Sequence, residues 1–181
     1  MKRSSLITFG LIISVILNLV MFQLINDNKD ESRLAHLEEV HNGIRYSYEF
    51  GDTLNQKYNG LSLDEKVEYL TAMHWSLTLS AWTLEDIKPA DKEYSDFVNL
   101  LNIYRNIPTE LQEMTRKENA DKAVLNLLNI WLKDVSYIKE NFNYIQLSKA
   151  NNKEILSSLK SLLHGLEYEN ESLEEYKQSF K

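Results

Sequence analysis

The chain has 181 residues with 20 basic and 27 acidic side chains, no cysteine, five glycines and two prolines. Without cysteine there are no disulfides, no thiol chemistry and no cysteine-based zinc site, and the formal net charge of −7 repels phosphate backbones, which argues against nucleic acid as a ligand. Scarce helix breakers among abundant Leu, Glu, Lys and Asn make helix the expected state.

Residues 6–25 carry no charge, follow Lys2 and Arg3, and give way to the polar Asn26-Asp27-Asn28-Lys29-Asp30-Glu31. A helix of that length spans roughly 30 Å, the hydrocarbon thickness of a bilayer. Its Leu, Ile, Val and Phe side chains favour insertion by about 5 kcal/mol. Basic residues before the run and acidic ones after it predict a cytoplasmic N-terminus and an extracytoplasmic remainder. The competing reading is a cleaved signal peptide, which would make the protein a secreted one. The length of the run and the absence of a small-x-small site in Met21-Phe22-Gln23-Leu24-Ile25 favour an uncleaved signal anchor. The expected organisation is a cytoplasmic tail over 1–5, a single-pass anchor over 6–25 and one extracytoplasmic domain over 26–181. Basic residues 18 minus acidic 27 leave that domain at −9. Abundant Lys, Asn and Ile, with export but no disulfides, suit a bacterial cell envelope.

After the anchor, Leu34, Leu37, His41, Ile44 and Tyr48 keep helical spacing. Ile44, Tyr46, Tyr48 and Phe50 also alternate at period two, a strand signal. Helix is preferred, because the chain offers no second strand to pair with. Asn59-Gly60 marks a turn, and Ser62 with Glu65 forms a capping box that opens a helix. Its stripe is Leu63, Val67, Leu70, His74, Leu77, Ala81 and Leu84 in 4-3 alternation. Trp75, Leu79 and Trp82 widen the apolar face, so this helix is expected to be buried on more than one side.

Pro89 suits the first turn of the next helix, whose stripe is Tyr94, Phe97, Leu101 and Tyr104, and Pro108 is expected to end it. Thr109 with Gln112 reads as a further capping box that opens a short turn of helix through Arg116. A long helix is then predicted over 120–147, capped by Asn119, with Val124, Leu127, Trp131, Val135, Ile138, Phe142 and Ile145 inward. Asn151 and Glu154 announce the last helix, with Ile155, Leu159, Leu162, Leu166, Leu173, Tyr176 and Phe180 as its seam. Beyond Gly165 this helix is expected to fray or to leave the bundle. The fold class expected is all-α: a transmembrane helix followed by an antiparallel, coiled-coil-like bundle of four or five helices.

Motifs for chemistry are sparse. Glu38-x-x-His41 has the spacing used by di-iron bundles, but its second copy is missing, so no metal is expected. His41 and His74 both fall in apolar registers and read as satisfied seam histidines, with a shared metal or pH-sensing pair as the alternative. No phosphate loop, nucleophile elbow or zincin motif occurs, so neither enzymatic activity nor a cofactor is expected. The aromatic cluster Tyr46, Tyr48, Phe50 and Tyr58 reads first as core or membrane-proximal packing and is the candidate partner surface as the alternative, whereas Trp75, Trp131, Phe97 and Phe142 are assigned to the core. The functional expectation is a membrane-anchored helical binding or scaffolding module with a protein partner or self-association. The alternative is a ligand-sensing or inhibitory helical domain.

Overall fold

The computed structural model describes residues 31–87, 92–117 and 119–180. They form seven α-helices and no strand: α1 over 31–57, α2 Leu63–Asp86, α3 Lys92–Thr115, α4 Asp121–Asn141, α5 Tyr144–Lys149, α6 Asn152–His164 and α7 Glu171–Gln178. The all-helical class expected from composition is therefore what forms, with more helices than the four or five anticipated. Among the described residues no helix is long and apolar enough to cross a membrane. The anchor expected over 6–25 and the helix start expected at Pro89 lie outside the described residues.

Side-chain bridges fix the register of an up-down-up-down bundle. The Ser47 hydroxyl donates to the Met73 carbonyl (2.8 Å) and that of Ser80 to the Val40 carbonyl (3.1 Å), so α1 and α2 run antiparallel. Gln112 on α3 donates to Thr71 on α2 (2.9 Å), while His74 meets the Arg105 carbonyl (2.7 Å). Lys139 of α4 lies 4.0 Å from the Tyr48 ring centre, and Asn55 donates to Asn129 (3.0 Å), which seats α4 against α1. Helices α6 and α7 then pack on α3, and α6 also on α4. The buried core runs through all of these layers, with Trp131, Tyr104, Phe142, Leu37 and Met73 among its largest members.

Two glycines let helices approach closely. A Cβ on Gly43 would overlap Ser80 Oγ and lie 3.0 Å from the Ser76 carbonyl. Gly43→Ala is expected to push α1 off α2 and cost about 1–3 kcal/mol, read as a fall in Tm. At Gly51 the same atom would meet the Trp131 ring at 2.7 Å.

Several boundaries follow the expected caps. Ser62–Glu65 and Asn151–Glu154 both form complete capping boxes. Residues 44–50 are helical. Their alternation does not mark one face, since Ile44 is buried while Tyr46 and Phe50 point outward. Leu63, at the head of the α2 stripe, is exposed as well.

Other boundaries are corrected. Helix α3 continues through Pro108 to Thr115. Proline removes an N–H and frees the carbonyl four residues earlier; here the Trp131 indole N–H donates to that Tyr104 carbonyl (3.1 Å). Thr109 and Gln112 sit inside α3 and face α2 instead of capping a new helix. Asn119 is not a cap: it adopts φ 61°, and Ala120 precedes α4 without a side-chain bond. The helix expected over 120–147 breaks at Phe142, because Asn143 accepts from the Gln146 N–H and starts α5, which turns Ile145 out to solvent. The last seam breaks at Gly165 and resumes at Glu171, capped by Asn170.

The intervening loop is held by Asp134. Its buried carboxylate accepts from the Tyr104 hydroxyl (2.5 Å) and from the N–H groups of Glu167 (2.7 Å) and Tyr168 (2.8 Å). At the start of α1, Arg33 donates to the Tyr94 hydroxyl (2.6 Å) and to the carbonyls of Leu147 (3.3 Å) and Ala150 (3.2 Å).

Candidate functional site

The four aromatics singled out in the sequence do not form one surface. Tyr58 belongs to the core, with its hydroxyl donating to Asp121 (3.0 Å) and Lys66 Nζ 3.9 Å from its ring centre. Burial pushes its phenol above the ordinary range, aided by the Asp121 carboxylate and opposed by a bond with Thr115. Tyr48 is half-buried against Lys139. Of the four, only Tyr46 (47% exposed) and Phe50 (37%) face solvent, one helical turn apart on α1. Arg45 covers the Tyr46 ring at 4.7 Å, and Phe50 lines a surface cleft with Tyr69 and Ala72 of α2.

Among the described residues, a line of three exposed large apolar side chains lies on α2 and reverses the sequence assignment. Trp75 and Trp82 are each 49% exposed and Leu79 is 56% exposed. Trp131, Phe97 and Phe142 are core as expected, but Trp75 is not, and the side of α2 that it shares with Leu79 and Trp82, expected to add to the buried face, is exposed. Residues that meet α1 (Met73, Ser80) and α3 (Thr71, His74) occupy the two flanks of the helix, which leaves 75, 79 and 82 on its outward side. The two indoles, two turns apart, fold towards each other with ring centres 6.0 Å apart in an edge-to-face pair. Covering the exposed half of one tryptophan removes roughly 100 Å² from water, worth about 2–3 kcal/mol. No sequence signal beyond the second 4-3 register, Ala72, Trp75, Leu79 and Trp82, separates this face from a buried one.

Charge brackets the face. Helix α2 holds Asp64, Glu65, Glu68, Glu85 and Asp86 against a single Lys or Arg, Lys66. Lys66 is turned away, over the Tyr58 ring and 3.7 Å from Asp121. Glu65 closes the Ser62 capping box, and those hydrogen bonds hold its carboxyl below the usual range. No ion pair holds Glu68, Glu85 or Asp86 among the described residues.

The histidines do not form a pair. His74 bonds the Arg105 carbonyl on α3, whereas the His41 ring lies 5.3 Å from Tyr144 of α5. No group of three or more His, Asp or Glu that could hold a metal occurs among the described residues. Burial holds the His41 imidazole below its ordinary value; the Phe142 backbone and Glu38 act the other way, and Arg45 and Lys139 add to the lowering. Unfolding therefore takes up a proton at this site, so its contribution to stability is complete above about pH 6.5 and falls as the pH drops below that value. His41→Gln is expected to flatten the decline in Tm between pH 7.5 and 5.

A polar cleft of about 400 Å³ lies between α3 and α7, lined by Asn99, Asn102, Asn106, Glu110, Asn170 and Glu175 among others. The buried Asn102 Oδ1 has no hydrogen-bond partner among the described residues.

The geometry defines an all-helical bundle with an outward aromatic face. Comparison with known proteins adds no further assignment: no protein-family model matches the sequence, and neither curated proteins nor solved structures give a significant match.

Proposed function

We propose that the chain is a non-catalytic binding or scaffolding module, tethered through residues 6–25 to the bacterial cell membrane with its helical domain outside the cytoplasm. Its contact surface is the outward face of α2. The observation that carries this reading is the line of Trp75, Leu79 and Trp82, half-exposed on a helix whose flanks are packed. Large contiguous apolar features of this kind mark interaction sites, and tryptophan is among the residue types most often dominant in them. Tyr46 and Phe50 on the neighbouring α1 extend the available apolar area.

The test is photocrosslinking in intact cells from a reactive residue placed at 79, with Lys153 on α6 as the exposed control position. Adducts that form from 79, fail to form from 153 and disappear in Trp75→Ala support the reading. Identical adducts from both positions, or none from either, overturn it. The tether is checked separately with protease added to protoplasts, which should digest the helical domain and not the cytoplasmic tail.

A second reading, a ligand-sensing domain, is favoured by the α3–α7 cleft and the unpartnered Asn102 oxygen. A small polar ligand bound there should raise the Tm, and Asn102→Leu should abolish that rise.

A further inference from the structure

We infer that the occupant of the α2 face is a basic amphipathic helix of a protein partner. The inference rests on the proposed contact surface and adds the chemistry of what covers it. Ala72, Trp75, Leu79 and Trp82 keep a 4-3 spacing, and the next positions in that register are Glu68 before and Asp86 after. A seam with that period accepts the apolar stripe of another helix. From Glu68 to Asp86 is 86 minus 68, or 18 residues, roughly 27 Å along the axis. The fitting partner therefore carries about three turns of apolar 3-4 spacing, to match the 82 minus 72, or 10, residues from Ala72 to Trp82, with Lys or Arg beyond each end.

Charge selects this occupant over the others. The acids of α2 lie in its first and last two turns, its one lysine is engaged with Tyr58 and Asp121, and the acids at the face are not in ion pairs among the described residues. A second copy of the chain brings acid against acid in either direction: parallel pairing sets Glu68 against Glu68, and antiparallel pairing of the seam on itself, with 72 opposite 82, sets Glu68 against Asp86. An anionic lipid surface is repelled for the same reason. Opposite charge at both ends steers encounter and fixes the register of the incoming helix.

The experiment uses the full chain in nanodiscs of zwitterionic lipid, with empty nanodiscs subtracted. Two labelled synthetic helical peptides share one leucine seam and carry either Lys or Glu at the flanking positions; binding is read by fluorescence anisotropy. The Lys peptide is expected to bind at least about tenfold more tightly than the Glu peptide, and to weaken as salt rises. Trp75→Ala with Leu79→Gln should abolish binding, and Glu68→Lys with Asp86→Lys should reverse the preference. Equal binding of both peptides, still lost in Trp75→Ala, overturns the charge selection while leaving the contact surface standing. Failure of both peptides to bind overturns the inference, and crosslinking from 79 then decides the surface independently. A dimer lost in Leu79→Gln identifies a second copy as the occupant and overturns the inference, as does binding to anionic vesicles through the same residues.

Discussion

Asp134→Ala is expected to lower stability by about 3–5 kcal/mol, a large share of the roughly 5–15 kcal/mol that holds a domain of this size. The carboxylate is buried and receives three donors, from Tyr104, Glu167 and Tyr168. Removing it strands the Tyr104 hydroxyl and the Tyr168 N–H in buried surroundings and leaves the partly buried Glu167 N–H without its acceptor, and an unmade buried hydrogen bond costs more than a made one contributes. Burial and the neighbouring carboxylate also push the Tyr104 phenol far above its ordinary range, so it stays a donor at any working pH. Asp134→Asn should fall between wild type and alanine, because one side of its amide presents N–H groups to a donor. Urea midpoints for the three proteins check the order. Equal midpoints for wild type and Asp134→Ala would refute the role given to this carboxylate.

Trp131→Ala is expected to cost about 3–5 kcal/mol through the cavity it leaves. The indole is fully buried, packs where Gly51 lacks a side chain, and donates to the Tyr104 carbonyl that Pro108 leaves free. Trp131→Phe separates the two effects by keeping most of the volume and losing the donor. In a Pro108→Ala background, where residue 108 regains its N–H, the cost of Trp131→Phe should shrink by on the order of 1 kcal/mol. Strict additivity of the two substitutions would show that the indole does not compensate for the proline.

The inward faces of the helices are legible in the sequence because burial leaves a periodic trace. Leu70, Leu77, Ala81 and Leu84 of α2, and Tyr94, Phe97, Leu101 and Tyr104 of α3, are buried where the stripes put them. The capping boxes at Ser62 and Asn151 are legible because they are local reciprocal bonds. Pro108 misleads because its compensation comes from Trp131 on the next helix, which no local pattern encodes. Phe142 fits the stripe and is buried, yet the helix ends there, since Asn143 competes for the backbone as a cap. The outward face is hidden for a related reason. Trp75 and Trp82 have the composition and spacing of a core seam, and only the placement of α1 and α3 on the two flanks of α2 shows that neither helix covers them. Conversely, the Tyr46–Tyr58 cluster is dense in sequence but dispersed in space, because neighbours on a helix point in different directions.

Arg33 has a mechanical consequence. Its guanidinium grips the Tyr94 hydroxyl and the carbonyls of Leu147 and Ala150 within a turn of the first described helical residue. Tension applied to the chain from its amino-terminal side is thereby shared at once with the beginning of α3 and the end of α5. The load falls on several hydrogen bonds in parallel, instead of peeling the first helix away one turn at a time.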